Sequence, residues 1–551
     1  MAREYWDRYW SAKRSRRGFL GTAGVVGAGA AGLALVGCGD DDNSSATKTA
    51  APAGSATKAG SPAASATAAD PFANAKRGGT MNIIETGNPP SIDPYGNGSF
   101  HTKVQAAYVY SRMYKYNAGP GVKLTDLHPV PDLAASSETS PDGMTVTMKI
   151  RPDAKFQNVA PVNGRAVDTD DIKFSWSRVT DPKSGVAARV PFIDSLSYPD
   201  KSTVVFKLKT PYAAFLDALA DTNVFFIMPK EADASATGFD PALKMIGSGP
   251  WIFDSYTPDV SIKYKKNPDW WVKGFPLMDA VNISIIPAYA NQLAQFKAGN
   301  LDAAGITADD LIDVKNTVTG VQLYGEVSQL LSIIYMDSDP TSPWNKDPRV
   351  RLAISMALDR DGLTDLGYQV KKLQAAGIDV KGNWNDIIPA GLLKYWLDPK
   401  GPDIGDGGKN FKYNVADAKA ALSAAGFANL QTKFQYTANA YGQTFNSLAE
   451  AQIQMLNQIG IQTTTEVQDY ASKYKTQTFD KGNFTGIAFG YETPFPEAGG
   501  YSAMFLPGAP NNHSKIDDPK MTDLWNKQAV ELDAAKRKDL FNQIQQYHAT
   551  K

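Results

Sequence analysis

The 551-residue chain contains a single cysteine, Cys38, and only four histidines. One cysteine excludes a disulfide framework or a cysteine-based metal site within the chain. The histidines show no His-Glu-x-x-His spacing, no Gly-x-Ser-x-Gly elbow occurs, and the sequence around Lys409 lacks the leading glycine and the Ser or Thr of a phosphate-binding loop. These absences predict that the chain is not an enzyme and needs neither a cofactor nor a metal. A hydrolase built on two converging carboxylates is the alternative.

The chain also has no large excess of charge of one sign, because it contains 56 Lys and Arg residues and 57 Asp and Glu residues. Residues 1–37 carry six basic and two acidic residues, which leaves 50 basic and 55 acidic residues in the rest of the chain. A chain with this balance offers no extended positive surface to a phosphate backbone. We therefore expect no nucleic-acid partner.

One long uncharged run is present, at residues 18–37, and no later segment is apolar for long enough to span a membrane. Seven of its twenty residues are glycine, which disfavours a permanent membrane helix. Basic residues precede the run and small residues end it, as in a cleaved export signal. Arg16 and Arg17, followed by Gly, Phe and Leu, look like a twin-arginine signal. An uncleaved N-terminal anchor is the alternative.

The end of this run resembles a bacterial lipobox, since residues 35–38 read Leu, Val, Gly, Cys. Cleavage there would leave Cys38 as the lipidated first residue of the mature protein. Residues 38–76 begin with a short acidic spacer and are then rich in Ala, Ser, Thr and Pro, which predicts a flexible tether. The expected location is the extracytoplasmic face of a bacterial cell membrane, with Cys38 as the lipid anchor.

The residues from 77 onward are too many for one ordinary core, and their composition predicts a mixed α/β protein of two or three lobes. Apolar and polar residues alternate at 145–150 and at 204–208, which predicts two half-buried antiparallel strands. Two helices are predicted to begin at an Asp347 cap and at an Asn414 cap, because each of these residues precedes a run with helical periodicity.

Several segments after the tether stand in an order that is typical of one protein family. They are residues 91–94 (Ser-Ile-Asp-Pro), 131–156, 168–175, 247–250 (Gly-Ser-Gly-Pro), 267–271 (Asn-Pro-Asp-Trp-Trp), 347–360 and 424–427. In this order and spacing they resemble the extracytoplasmic solute-binding proteins of ABC transporters in the peptide, dipeptide, opine and nickel class, called family 5. The resemblance extends over nearly the whole chain after the tether.

The resemblance implies an α/β, bilobal periplasmic-binding-protein fold with a hinge, similar to class II. Lobe one would comprise residues 77–287 and 489–551, with an extra subdomain at about 116–212, and lobe two residues 288–488. Ligand would be enclosed between the lobes and would shift the population toward the closed form. Family members continue past their last helix with an apolar strand that returns to lobe one. This sequence lacks the strand, so lobe one is expected to be truncated or completed differently.

The family's peptide binders hold the amino group of the ligand with an acidic residue, in the pattern aromatic, two residues, Asp, three residues, Pro. The matching residues here are Phe489, Glu492 and Pro496, so that Glu replaces Asp and Phe replaces the usual Trp. Burying a carboxylate in a closed cleft costs free energy unless an ammonium group pairs with it or several donors form hydrogen bonds to it. The resemblance therefore implies a ligand with a cationic or amino group. A Glu492 on a solvated edge of a lobe is the alternative.

Six further residues are candidate ligand contacts by the same resemblance. They are Ser99, Phe100 and His101, where family members place a lobe-one loop against the ligand, and the aromatic residues Tyr491, Phe495 and Tyr501 near the matched carboxylate. Core packing is the alternative for each of these aromatic residues, and a surface position is the alternative for His101.

Together these features predict a membrane-tethered, monomeric receptor that captures a peptide or another amino-bearing solute and delivers it to the permease of an ABC importer. Because a fold does not fix a ligand, oligosaccharide or metal-chelate binding by the same fold is an alternative. Ligand sensing for signalling is a second alternative.

Overall fold

A computed structural model describes residue 72 and residues 74–551, except residues 98, 120–121, 124–125, 185, 234–238, 480, 493 and 510. The predicted signal with Arg16 and Arg17, the predicted lipid attachment at Cys38 and most of the predicted tether lie outside the described residues. Within the described residues, every helix is too short or too polar to cross a bilayer.

The strands of the described residues are numbered in chain order. They are β1 Thr80–Glu85, β2 Tyr114–Tyr116, β3 Pro129–Pro131, β4 Ala134–Thr139, β5 Thr145–Ile150, β6 Ile193–Asp200, β7 Thr203–Leu208, β8 Trp251–Thr257, β9 Ser261–Lys266, β10 Ala280–Ile285, β11 Leu331–Met336, β12 Leu430–Thr437, β13 Ile461–Gln468 and β14 Ile487–Glu492.

The α-helices are referred to by their bounds. They are Phe100–Val109, Thr169–Thr180, Phe215–Ala220, Tyr289–Lys297, Leu311–Thr317, Pro343–Lys346, Pro348–Ala357, Arg360–Tyr368, Val370–Ala375, Val415–Ala424, Gly442–Gln458, Pro519–Val530 and Ala534–His548. Short 3-10 helices lie at Ala187–Arg189, Lys230–Ala232, Ala390–Leu392, Pro402–Phe411 and Ala498–Met504, and a π-helix lies at Tyr470–Phe479.

Two of these helices begin as the sequence predicts. The side chain of Asp347 accepts a hydrogen bond from the backbone N–H of Arg349 and caps the helix Pro348–Ala357. Asn414 caps the helix Val415–Ala424 in the same way. Each cap satisfies an N–H group that has no partner within its helix, which is why these residue types start helices. Both predicted helix starts are confirmed.

The predicted strands at 145–150 and 204–208 are also confirmed, as β5 and β7. The two strands pair antiparallel, and every second residue of β5 is buried. They are the inner strands of a four-stranded antiparallel sheet with the order β4-β5-β7-β6. This sheet lies within the range 116–212 that was predicted as an extra subdomain.

A second sheet has the order β1-β10-β9-β8, in which β1 and β10 are parallel and the other pairs are antiparallel. One buried cluster runs from Ile92 to Ile285 and includes side chains of both sheets, such as Phe206 and Ile283. Burial of this apolar surface holds the two sheets together. We call residues 77–287 lobe one.

The third large sheet has the order β11-β14-β12-β13, with β14 antiparallel to β11 and parallel to β12. The helix Gly442–Gln458 covers one of its faces, where the ring of Phe445 stacks on the ring of Phe489 with centroids 4.6 Å apart. A buried cluster from Trp344 to Phe489 forms the core around this contact. We call residues 288–492, which contain this sheet and its helices, lobe two.

Residues 494–551, called the C-terminal segment below, pack mainly against lobe two. Most of their buried apolar residues form one cluster with Leu331 of β11 and with residues 387–395. Ala549 packs in a smaller cluster with residues 397–411. Within this cluster the ring of Phe541 lies 4.5 Å from the ring of Tyr395. The predicted lobe boundary at 489 assigns this segment to lobe one. The buried apolar residues of the segment, however, cluster with residues 331–395 and not with the core of lobe one. The physical reason is that the apolar faces of the last two helices are buried against residues 387–411.

Candidate functional site

Glu492 is the last residue of β14, and its side chain is completely buried. The hydroxyl of Tyr335, on the neighbouring strand β11, donates a hydrogen bond to its Oε2 at 3.0 Å. The side-chain amide of Asn511, from the C-terminal segment, donates to its Oε1 at 2.6 Å. Glu492 therefore does not lie on a solvated edge of a lobe. Its carboxylate connects the sheet of lobe two to a loop of the C-terminal segment.

The third described neighbour of this carboxylate is the imidazole of His513, whose Nε2 lies 3.6 Å from Oε2 of Glu492. The ring of His513 is 4.0 Å from the ring of Phe479 and 5.1 Å from the ring of Tyr335, measured between centroids. These rings lie next to a carboxylate that has no exposed surface of its own. In such surroundings a charged hydrogen-bond partner is worth more than a neutral one.

The same surroundings keep the hydroxyl of Tyr335 protonated. Burial, followed by the nearby charge of Glu492, raises the pKa of Tyr335 well above its ordinary value. The hydroxyl is therefore a fixed donor, and it orients the carboxylate of Glu492. With Asn511 on the other oxygen, the carboxylate is held in one position.

A pocket of about 450 Å³ lies beside this group and is lined by residues 481–482, 507–509, 512–513 and 515–517. His513 lines the pocket and also contacts Glu492. Two lysines, Lys481 and Lys515, and one aspartate, Asp517, give its rim both signs of charge. Among the described residues, no three His, Cys, Asp or Glu side chains gather as a possible metal site.

The alternation of side chains along β14 separates the predicted aromatic contacts from the carboxylate. Phe489 and Tyr491 point to the face that is covered by the helix Gly442–Gln458, where Phe489 is completely buried and Tyr491 lies 4.8 Å from the ring of Phe445. Glu492 shares the opposite face with Ala488. Successive residues of a strand point to opposite faces of the sheet. Phe489 and Glu492 are three positions apart, so their side chains lie on opposite faces and have different neighbours.

Phe495 and Tyr501 lie together after the end of β14. Their rings meet edge to face with centroids 5.0 Å apart, and the hydroxyl of Tyr501 donates to the backbone carbonyl of Gln329 at 2.7 Å. Tyr501 is completely buried, whereas Phe495 is partly exposed. This pair packs the C-terminal segment against the loop before β11.

The three candidates of lobe one are adjacent at the start of the helix Phe100–Val109. Ser99 is its N-cap residue, although its side chain makes no capping hydrogen bond. Phe100 is 70% exposed, which is unusual for so large an apolar side chain. His101 is paired through Nδ1 with the carboxylate of Glu85 on β1. Of the three, Phe100 is the most available to a ligand.

Sequence reasoning missed the residues that hold Glu492, namely Tyr335, Asn511 and His513. Tyr335 stands in an apolar strand sequence and gives no sign of a polar role. Asn511 and His513 belong to a polar loop, where such residues are common. Their convergence depends on the pairing of β11 with β14, in which Leu331 is opposite Glu492, and this pairing has no local signature.

A sequence model of a protein family, the middle region of the bacterial extracellular solute-binding proteins of family 5, matches residues 128–513. The heme-binding protein A of Haemophilus influenzae is 24% identical over 464 residues, which cover 79% of each chain. The oligopeptide-binding protein AppA of Bacillus subtilis is 24% identical over 444 residues, which cover 77% of this chain and 75% of AppA.

The described fold also matches solved structures. The structure of HbpA2 from Haemophilus parasuis superposes with a TM-score of 0.70 at 22% identity, over 86% of this chain and 92% of that one. Likenesses of this kind confirm the predicted α/β fold of two lobes. At this identity they establish the fold.

Proposed function

The chain belongs to the bacterial extracellular solute-binding proteins of family 5, and from this premise we propose that it captures a peptide or another amino-bearing solute for an ABC importer. Its ligand lies between the two lobes, and ligand binding favours the closed form because the ligand contacts both lobes at once. The sequence relatives named above are binding proteins, which agrees with a role in capture.

The observation that carries the proposal is the fully buried carboxylate of Glu492. Its described donors include a tyrosine hydroxyl and a side-chain amide, both of which are neutral. A carboxylate held in one position within an aromatic surrounding attracts an ammonium group more strongly than it would in water. The amino terminus of a peptide supplies such a group. To reach it, the ligand displaces or rearranges the loop that carries Asn511.

The names of the relatives suggest two ligand classes. The Bacillus subtilis relative is named for oligopeptides, and the Haemophilus influenzae relative is named for heme. We favour the peptide class here because a buried carboxylate has a clear partner in an amino group, whereas heme carries carboxylates of its own that would repel Glu492.

We further propose that the receptor is exported by the signal around Arg16 and Arg17 and is tethered by a lipid on Cys38. Residues 38–76 are rich in small and polar residues, so a random coil of this length has an end-to-end distance on the order of 35 Å. Such a tether keeps a monomeric receptor close to its permease while leaving it free to capture solute.

Calorimetric titration with two forms of one peptide tests the ligand assignment. A tetrapeptide with a free amino terminus and its N-acetylated form are titrated into the protein. A charge-assisted hydrogen bond to Glu492 contributes about 1.5 to 3 kcal/mol, so acetylation should weaken binding by roughly 10- to 150-fold. In the variant Glu492→Gln the same acetylation should have little effect.

The matched control is Glu450→Gln, which removes the same charge from an exposed position on the helix Gly442–Gln458. This variant should distinguish the two peptides as the unmodified protein does. Equal binding of both peptide forms to the unmodified protein would contradict the role of Glu492.

A further inference from the structure

The residue between Asn511 and His513 has contacts of its own. The side-chain amide of Asn511 donates to Oε1 of Glu492, and the imidazole of His513 lies beside Oε2. The side chain of Asn512 is 8% exposed and bonds instead to the backbone of its own loop. The two outer residues of this triplet therefore contact the carboxylate, and the middle residue contacts the loop.

The side chain of Asn512 joins the two ends of this loop. Its Nδ2 donates to the backbone carbonyls of Leu506 at 3.2 Å and Ile516 at 2.8 Å, and its Oδ1 accepts from the backbone N–H of Ile516 at 2.7 Å. Leu506 and Ile516 are partly buried against the apolar cluster of the C-terminal segment. Apolar packing thus anchors both ends of the loop, and the amide of Asn512 fixes the distance between them.

A glycine holds the same loop from the outside. Gly482 has a φ of +59°, and an added Cβ would lie 2.3 Å from the carbonyl oxygen of His513. A side chain does not fit at that distance, so glycine is what lets the two backbones approach each other. On β11, the backbone N–H of Met336 donates to the hydroxyl of Ser514 at 3.3 Å. The loop is therefore fixed on both sides of the residues that contact Glu492.

We propose that Asn512 is a positioning residue of the ligand site. By joining the ends of the loop, it places Asn511 and His513 at the carboxylate of Glu492. Gly482 supports the same arrangement, because its lack of a side chain allows the backbone of His513 to lie close to it. The consequence for capture rests on the proposed function, since the loop then determines which groups an ammonium group meets at Glu492.

The expected effect of removing this side chain follows from its hydrogen bonds. Asn512→Ala leaves two carbonyls and one N–H at the loop ends without the partner that they have in the unmodified protein. Each hydrogen bond of this kind changes a local opening equilibrium by about two- to tenfold. With three of them lost, the loop should open at least about tenfold more often. The bond from Asn511 to Glu492 should then be broken more often as well.

The side-chain amide of Asn511 reports the position of the loop, because its hydrogens are protected from solvent exchange while it donates to Glu492. The full chain is labelled with 15N at asparagine and measured by NMR without ligand. The signal of Asn511 is the one that disappears in Asn511→Ala. We expect this amide to exchange at least about tenfold faster in Asn512→Ala than in the unmodified protein. Exchange should also be faster in Gly482→Ala, which forces the backbone of His513 away.

The matched control is Asn267→Ala in lobe one. Asn267 is also buried, and its side chain likewise donates to a backbone carbonyl, that of Gly249, and accepts from a backbone N–H, that of Asp269. This variant should lower the free energy of unfolding in urea and leave exchange at Asn511 unchanged.

Three results would overturn the proposal. They are an Asn511 amide that exchanges freely in the unmodified protein, unchanged exchange in a folded Asn512→Ala or Gly482→Ala, and equal acceleration in Asn267→Ala. Gly482→Ala keeps the side chain of Asn512, so it decides the matter if Asn512→Ala does not fold. Because no ligand is present, a failure of the peptide titration would leave this result unaffected.

Discussion

The hydrogen bond from Tyr335 to Glu492 allows a direct test of the charge at the site. Replacing Tyr335 by phenylalanine removes one hydroxyl that donates to the buried carboxylate at 3.0 Å, and it leaves the packing of the ring unchanged. A hydrogen bond to a charged acceptor contributes about 1.5 to 3 kcal/mol to stability. We therefore expect Tyr335→Phe to lower the free energy of unfolding by about 2 kcal/mol.

Tyr474 provides the matched control for this prediction. Its hydroxyl is also buried, but it donates to a neutral acceptor, the backbone carbonyl of Phe489, at 2.7 Å. Tyr474→Phe should therefore lower the free energy of unfolding by only about 1 kcal/mol. Both variants are compared with the unmodified protein by urea denaturation, with the intrinsic tryptophan fluorescence as the signal. If Tyr335→Phe costs no more than Tyr474→Phe, the hydroxyl does not face an ionised carboxylate and the reasoning about the site fails.

Two further predictions concern the core and the tether. Phe489→Ala removes a completely buried ring that stacks on Phe445, and it should cost about 3 to 5 kcal/mol in urea denaturation; a cost below about 1 kcal/mol would show that Phe489 is not a core residue. Cys38→Ser should move the protein from the membrane fraction to the soluble fraction of cells that produce it, as shown by immunoblotting of both fractions, and retention in the membrane fraction would contradict the lipid anchor.

Local features of the fold could be predicted from the sequence because neighbouring residues alone determine them. Asp347 and Asn414 cap helices through hydrogen bonds to N–H groups two or three residues away. The alternation in β5 likewise reports a strand with one buried face. The same rule, applied to β14, shows that Phe489 and Glu492 must point to opposite faces of the sheet.

The surroundings of Glu492 could not be predicted in the same way. Tyr335 is 157 positions away in the sequence and meets Glu492 only because β11 pairs with β14. Asn511 returns to the carboxylate through a loop that has no regular period. The position of the C-terminal segment depends on long-range burial too, since its apolar helix faces would fit a core in either lobe. Family resemblance singled out Glu492 as a candidate, and tertiary contacts determine which residues surround it.

The claim that this protein captures an amino-bearing solute is tested most directly by mass spectrometry of the molecules that co-purify with it. The folded protein is purified from its own cells without denaturation, its bound molecules are released by acid, and they are identified by mass and fragmentation. We predict short peptides or other solutes with a free amino group, present in the unmodified protein and depleted in Glu492→Gln. A bound oligosaccharide or heme, equally abundant in both proteins, would contradict the account.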